Sequence, residues 1–293
     1  MSTAAKEAWT TRKLLDWLRG ALKDKGVDDA RLCAEMLVAH VIGCQRLRLY
    51  MEVDRPASPE ELTRLRDLAK RALSHEPVQY LVGEASFYGI SLKADKRALI
   101  PRPETQTLVD EAVAAIKTIE DRSAMVADVC TGSGCVAIAI AQQAPTALVH
   151  ATDIDGDALE LAGENIERTG VGERVSTFQG DLLDALPPGE AYDVIVSNPP
   201  YIPDDEWGEV ASNVKDFEPT HALRGGADGL DVVRPLIAQA ADRLHPGGLL
   251  AIEVAAARTD EALALMVADG RYQDARIVRD FTGRPRVVRA IRA

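Results

Sequence analysis

After Glu104 the sequence alternates short apolar runs with helical segments, and this alternation restricts the fold more than any other feature. A helix is predicted over about 105–119. Apolar runs of strand length follow it at 125–129, 148–152, 175–178, 193–197 and 249–254. Strands separated by helices form a mainly parallel sheet, so we predict an α/β fold with a doubly wound sheet. Two further runs, 276–278 and 286–291, surround a turn at Thr282 and Gly283 and predict a hairpin with an antiparallel strand.

Residues 1–76 have a different pattern, which predicts a small all-helical domain. Apolar residues recur at helical spacing in three segments, 11–25, 28–42 and 59–74. The third has the clearest start, because Ser58 and Glu61 have the spacing of a capping box. In residues 77–103 short apolar runs are broken by Gly83, Gly89, Pro101 and Pro103, which predicts a linker with a β-hairpin. The α/β domain then occupies residues 104–293.

The charge of the chain and the composition of its N-terminus limit its expected binding partners and its cellular compartment. The net charge is −12, and residues 81–270 contain 13 Lys and Arg against 32 Asp and Glu. Because Lys and Arg neutralise the phosphate backbone, we expect no stable nucleic-acid binding. Residues 1–9 lack the apolar core of a signal peptide and no later stretch is long and apolar enough to span a bilayer, so a cytoplasmic protein without membrane contact is predicted. The four cysteines lack metal-ligand spacing, so no metal is predicted.

The segment Asp-Val-Cys-Thr-Gly-Ser-Gly at 128–134 joins the first predicted strand to a helix and predicts a ligand-binding loop. Its glycines would let a ligand approach the backbone N–H groups of the helix start. Asp128 would repel a phosphate but could accept hydrogen bonds from a cationic or hydroxyl-bearing ligand, such as the methionyl end of S-adenosylmethionine. Asp153, at the end of the next strand, could hold ribose hydroxyls. These residues fit a nicotinamide dinucleotide equally well. A third interpretation is that the glycines only permit a tight turn and bind no ligand.

The segment Asn198-Pro-Pro-Tyr201 follows the fourth predicted strand, so it should open onto the same crevice as the glycine loop. An amide or aromatic amino nitrogen is a poor nucleophile because its lone pair is delocalised. The Asn198 side-chain oxygen and the Pro199 carbonyl could each accept one N–H of such a group and direct its lone pair at a methyl donor. Tyr201 could stack on the flat target. The motif therefore favours a methyltransferase over a dehydrogenase or a module that only binds a cofactor.

Taken together, the chain resembles the HemK-type glutamine N5-methyltransferases that act on peptide chain release factors. The resembling blocks occur in the same order along nearly the whole chain: Glu76-Pro-Val-Gln-Tyr80, Phe87-Tyr-Gly89, Ile100-Pro-Arg-Pro-Glu-Thr105, the loop at 128–134, Asn198-Pro-Pro-Tyr201, Phe217-Glu-Pro219 and an Arg- and Val-rich last strand. The resemblance implies a seven-stranded, Rossmann-like methyltransferase sheet behind a helical domain that recognises the substrate. It also implies methyl transfer from S-adenosylmethionine to the glutamine of a Gly-Gly-Gln loop in a release factor.

The resemblance further implies which residues form the site. Ten residues are expected to bind the cofactor: Asp128, Cys130, Thr131, Gly132, Ser133, Gly134, Asp153, Asp181, Leu182 and Asn198. The glutamine is expected at Asn198, Pro199, Pro200 and Tyr201, of which Asn198, Pro199 and Tyr201 are the predicted catalytic residues.

Two residues depart from the family pattern. Gln106 stands where an acid is usual, and Ala255 stands where a glycine, with its freedom of φ, is usual. Two alternative activities use the same chemistry: methylation of a ribosomal-protein glutamine, and methylation of adenine N6 in a nucleic acid. A monomer is expected.

Overall fold

The computed structural model describes residues 8–293, which form two compact units. The first unit reaches to Gly83 and also contains Ser212–Phe217. The second contains Glu84–Ala211 and Glu218–Ala293. No helix within residues 8–293 is long and apolar enough to cross a membrane.

The first unit is helical, as predicted. Its helices are α1 (Thr11–Asp24), α2 (Ala30–Ile42), α3 (Arg46–Met51), α4 (Pro59–Ala72) and α5 (Val78–Val82). Their apolar faces share one core, in which Leu18, Leu37 and Leu65 are fully buried. The predicted capping box begins α4: the Ser58 hydroxyl accepts from the Glu61 N–H at 3.2 Å, and the Glu61 carboxylate accepts from the Ser58 N–H at 2.8 Å.

The short helix α5 extends the first unit beyond the predicted boundary at residue 76. Its Val78 and Leu81 are buried in the same core as α2 and α4. Helices α3 and α5 have six and five residues, which is too short for an apolar period to be recognised in the sequence. The division therefore falls at Gly83, whose φ of 75° ends α5 in the left-handed conformation that glycine adopts readily.

The remaining elements follow in chain order. They are β1 (Glu84–Phe87), β2 (Ile90–Lys93), α6 (Gln106–Ile116), β3 (Met125–Val129), α7 (Cys135–Gln143), β4 (Leu148–Asp153), α8 (Gly156–Thr169), β5 (Val175–Gln179), β6 (Tyr192–Ser197), α9 (Ser212–Lys215), α10 (Val233–Arg243), β7 (Leu244–Glu253), α11 (Thr259–Asp269), β8 (Tyr272–Arg279) and β9 (Pro285–Arg292). Of these, α9 belongs to the first unit.

A seven-stranded sheet in the order β5-β4-β3-β6-β7-β9-β8 organises the second unit and confirms the predicted fold class. Strands β3 to β7 pair in parallel, and β9 pairs antiparallel to both β7 and β8. One apolar core includes Leu108 of α6 and Ile138 of α7, and a second includes Leu236 of α10 and Met266 of α11. Helices with separate cores therefore cover both faces of the sheet, which is the doubly wound arrangement.

Strands β1 and β2 form the hairpin predicted around Gly89. Tyr88 and Gly89 both have positive φ, 51° and 77°, as a two-residue type I′ turn requires. The buried side chain of Asn165 accepts from the Lys93 N–H at 2.7 Å and donates to the carbonyl of Ser133 at 3.0 Å. Asn165 thus ties the hairpin to the loop that follows β3.

Candidate active site

A cavity of 330 Å³ lies beyond the carboxyl ends of β3, β4 and β6. Parallel strands bring their carboxyl ends to one edge of the sheet, which is where open α/β sheets bind ligands. Ten of the residues predicted for the site line this cavity: Asp128, Cys130, Thr131, Gly132, Ser133, Asp153, Asp181, Leu182, Asn198 and Pro200. Gly134, Pro199 and Tyr201 are outside its lining.

The loop after β3 is held in an unusual backbone conformation by its neighbours. Cys130, Gly132 and Gly134 all have positive φ, at 59°, 56° and 79°. A Cβ on Gly134 would come within 3.2 Å of the Ala162 side chain, so a glycine is needed where α7 meets α8. The result is a turn at the start of a helix, and its residues Thr131, Gly132 and Ser133 line the cavity.

Asp153 connects the loop to the end of β4. One oxygen of its carboxylate accepts from the Gly132 N–H at 2.9 Å and the other accepts from the Asp155 N–H at 3.0 Å. Burial raises the pKa of Asp153, and these two backbone hydrogen bonds counteract part of that rise. Each oxygen keeps a lone pair, so this fixed carboxylate can also accept from ligand hydroxyls in the cavity.

Asp128 is buried and serves the loop itself. Its Oδ2 accepts from the Thr131 hydroxyl at 2.6 Å and from the Ala137 N–H at 3.0 Å. Burial raises its pKa to about 7, against these two hydrogen bonds. Asp128 therefore fixes both ends of the turn, and it lines the cavity as well.

Asn198 lies at the tip of β6 with its side chain in a defined orientation. Its amide nitrogen donates to the hydroxyl of Thr105 at 3.2 Å, so the amide oxygen is the atom left to accept from a ligand. Tyr201 lies deeper, near Glu253 and Arg286, and burial raises the pKa of its phenol to about 12. Asn198 and Pro200 of the motif therefore line the cavity, whereas Tyr201 does not.

A glycine-containing segment, 223–229, supports the backbone of this motif. The Ile202 N–H donates to the Leu223 carbonyl and the Gly225 N–H donates to the Ile202 carbonyl, both at 2.9 Å. A Cβ on Gly225 would come within 2.7 Å of the Pro200 carbonyl oxygen. This part of the long connection after β6 therefore packs against the motif and supports its backbone.

Part of the cavity lining comes from residues that were not predicted for the site. Arg97, Leu99, Pro101 and Arg102 come from the predicted linker, and His221, Ala222 and Arg224 come from the connection after β6. Buried Glu218 joins these two segments, since it accepts from the Ile100 N–H at 3.0 Å and lies 2.5 Å from the Arg102 guanidinium. Arg102 and Glu218 each lie in a block of the family resemblance, but that pattern gives no sign that the two blocks are in contact.

The chain matches known proteins along nearly its whole length. A release factor glutamine methyltransferase of Rhodopirellula baltica is 39% identical over 288 residues, which cover 98% of this chain and 97% of that protein. The protein of the same name from Mycolicibacterium smegmatis is 41% identical over 285 residues, covering 96% and 97%. The chain belongs to the release factor glutamine methyltransferase family.

Family models agree with this membership, and a solved structure shares the fold. Residues 13–83 match the model described as PrmC N-terminal domain, and residues 105–214 match the methyltransferase small domain. The Thermus thermophilus 16S rRNA N2 G1207 methyltransferase, solved with AdoMet and guanosine, shares the fold. Its TM-score is 0.50 at 19% identity, over 72% of this chain and 50% of that chain.

As a release factor glutamine methyltransferase family member, the protein is an S-adenosylmethionine-dependent methyltransferase, which confirms the cofactor implied by the resemblance. The family's glycine after β7 is not required here, because Ala255 has φ −55° and ψ 139°, a conformation open to any residue. Gln106 begins α6 with ordinary helical angles and does not line the cavity. Both departures are therefore accommodated by the backbone.

Proposed function

We propose that this protein transfers a methyl group from S-adenosylmethionine to the side-chain amide nitrogen, N5, of the glutamine in the Gly-Gly-Gln motif of a peptide chain release factor. One observation carries the proposal: the amide of Asn198 is oriented by Thr105 at the edge of the cavity that also contains Asp153 and the glycine loop. The names of the relatives supply the substrate.

The chemistry requires two acceptors for one NH₂ group. A glutamine amide nitrogen shares its lone pair with its carbonyl, so it attacks a methyl group only when that delocalisation is weakened. We assign the Asn198 amide oxygen and the Pro199 carbonyl to the two N–H bonds of the target, which favours a pyramidal nitrogen. Pro200 lines the cavity beside Asn198, and we assign it and Tyr201 to the walls of the glutamine site.

The lining of the cavity fits S-adenosylmethionine. The carboxylates of Asp128, Asp153 and Asp181 suit a ligand with an ammonium and a sulfonium group, and the fixed lone pairs of Asp153 suit a ribose. The backbone turn after β3 would lie along the ligand; it consists of Cys130, Thr131, Gly132, Ser133 and Gly134. Apolar Ile154 and Leu182 suit a flat base. When bound, the cofactor supplies an electrophilic methyl group.

We propose a role for each part of the chain as well. The N-terminal helical domain, predicted as residues 1–76 and extended by α5 to Gly83, recognises the release factor, the following residues up to 103 act as a linker with a hairpin, and residues 104–293 carry out the methylation. The match of residues 13–83 to a named N-terminal domain model supports a separate first part. We also propose that the protein acts in the cytoplasm and as a monomer, and light scattering of the purified protein tests the oligomeric state.

Mass spectrometry of candidate substrates tests the proposed function. Purified protein and S-adenosylmethionine are incubated separately with a release factor, with its Gly-Gly-Gln→Gly-Gly-Ala variant, with a ribosomal protein and with adenine-containing DNA. We expect the mass of one methylene to be added to the first alone. Methylation of the ribosomal protein or of the DNA, with none on the release factor, contradicts the proposed substrate.

A variant tests the proposed role of Asn198. Asn198→Ala removes the amide oxygen, so we expect no detectable methyl transfer while calorimetry still measures S-adenosylmethionine binding close to that of the unmodified protein. Turnover equal to that of the unmodified protein would remove the basis of the amide mechanism.

A further inference from the structure

Glu253, the last residue of β7, is a buried carboxylate with no assigned role. Its side chain is 0% exposed, and neither oxygen has a hydrogen-bond partner of ordinary geometry within residues 8–293. Burying an unpaired carboxylate destabilises a fold unless a neighbour favours the charged form. Burial raises the pKa of Glu253, and among its neighbours the Thr105 hydroxyl and Arg286 act against that rise, so both favour the charged form.

Thr105 is also the residue that holds Asn198. It is 2% exposed, and its oxygen accepts from the Asn198 amide nitrogen at 3.2 Å. A threonine hydroxyl has one hydrogen to donate and can accept through its lone pairs. If that hydrogen points at Glu253, Thr105 can only accept from Asn198, and the amide nitrogen must face it. If the hydrogen turns to Asn198, the amide oxygen faces Thr105 and the nitrogen faces the cavity.

We propose that Glu253 and Thr105 are positioning residues that fix the orientation of the Asn198 side-chain amide. The ionised Glu253 carboxylate takes the hydroxyl hydrogen of Thr105, Thr105 then accepts from the Asn198 nitrogen, and the Asn198 oxygen faces the target NH₂. With the amide inverted, the NH₂ group of Asn198 would face the NH₂ group of the substrate, and two donors cannot form a hydrogen bond with each other. This inference rests on the proposed function of Asn198.

The charges around Glu253 make this arrangement sensitive to pH. Burial raises the pKa of Glu253 to about 7; the Thr105 hydroxyl and Arg286 of β9 act against the rise, and Glu104 and Asp280 add to it. Tyr201 and Cys135 are the other titratable side chains that interact with its charge. Below that pH the protonated carboxyl can donate to Thr105, whose own hydrogen is then free to turn to Asn198. Turnover should therefore decrease as the pH falls.

The first experiment compares kcat and KM of three variants across pH on a release factor substrate. Thr105→Val keeps the shape and removes the hydroxyl, and loss of this hydrogen bond should lower kcat by about tenfold with little change in KM for S-adenosylmethionine. Thr105→Ser keeps the hydroxyl and should keep most of the turnover. Glu253→Gln should lower kcat and flatten the decrease below pH 7, because residue 253 no longer titrates. Unchanged kcat in Thr105→Val, or an unchanged pH profile in Glu253→Gln, overturns the proposal.

A second variant leaves the network intact and alters only its surroundings. Glu104→Gln removes a negative charge that raises the pKa of Glu253, so the decrease in kcat should move to lower pH while kcat at high pH stays near that of the unmodified protein. An unmoved profile counts against the proposal. If the unmodified protein methylates the release factor and these variants all behave like it, the positioning role fails alone; if the unmodified protein does not methylate it, the proposed function fails.

Discussion

Gly225 lies directly against the Pro200 carbonyl, so that even a Cβ at position 225 would come within 2.7 Å of that oxygen and within 2.8 Å of the Tyr201 Cα. These are backbone atoms of the segment that carries Asn198, and backbone cannot move aside as a flexible side chain can. The geometry of this segment therefore depends on a glycine that follows it by more than twenty positions.

Gly225→Ala should impair catalysis through this contact. The added methyl group has to push 200–201 away, which we expect to lower kcat at least about tenfold and to destabilise the protein by about 1–3 kcal/mol. Turnover assays and urea unfolding measure the two effects. Gly208→Ala is the matched control, since a Cβ there meets nothing within 4 Å. Equal kcat in the two variants would show that the contact does not position the motif.

Asp153→Asn should weaken cofactor binding. The carboxylate accepts from two backbone N–H groups, those of Gly132 and Asp155, whereas an amide offers only one oxygen and leaves one N–H unpaired. We expect the Kd for S-adenosylmethionine, measured by calorimetry, to rise by about tenfold or more. Asp157→Asn, an exposed change in the following helix α8, should leave the Kd unchanged, and a similar rise in both variants contradicts the assignment.

Glu253→Gln should stabilise the protein in a pH-dependent way. The folded pKa of about 7 is above the ordinary value of 4.5, so the folded state holds the proton more firmly than the unfolded state does. The stability that Glu253 contributes is thus fully present below pH 4.5 and is lost as the pH rises to about 7. The Tm of the variant should exceed that of the unmodified protein at pH 8 and approach it at pH 4.5. A difference that is the same at both pH values contradicts the raised pKa.

The contribution of Glu35, in the first unit, to the stability of the protein should have the opposite pH dependence. Burial opposes its ionisation, but hydrogen bonds from Tyr50, Arg31 and Arg46 outweigh burial and hold its pKa below the ordinary value. Its contribution to stability is therefore present at neutral pH and lost as the pH falls through the folded pKa. Glu35→Ala should destabilise the first unit by about 2 kcal/mol at pH 7, and by less in acid.

Tryptophan fluorescence during urea unfolding measures the Glu35 effect, since Trp9 and Trp17 lie in the first unit and contact each other. Asp54→Asn, which alters a carboxylate that is 85% exposed, is the control and should change little. A loss of stability that does not depend on pH would indicate a packing role for Glu35 instead of a charged one.

The sequence was sufficient to predict the cavity-lining residues that end or directly follow strands. Asp153 and Asn198 end or follow strands that run in the same direction, so they had to meet at one edge of the sheet, and both line the cavity. The contact between Arg102 and Glu218 could not be predicted, because nothing local in either segment indicates a partner 116 residues away. The burial of Glu253 could not be predicted either, because it depends on pairing with β9, which lies more than thirty residues further along the chain.

Strand β9, residues 285–292, lies inside the sheet between β7 and β8 and not at its rim. It pairs with Glu253 through Val287, and the Val254 N–H donates to the Arg286 carbonyl at 2.9 Å. During synthesis on the ribosome, the surroundings of Glu253 therefore stay open to water until these late residues have emerged and inserted. A nascent chain that stops before β9 would expose the unpaired edge of β7, which is a template for aggregation.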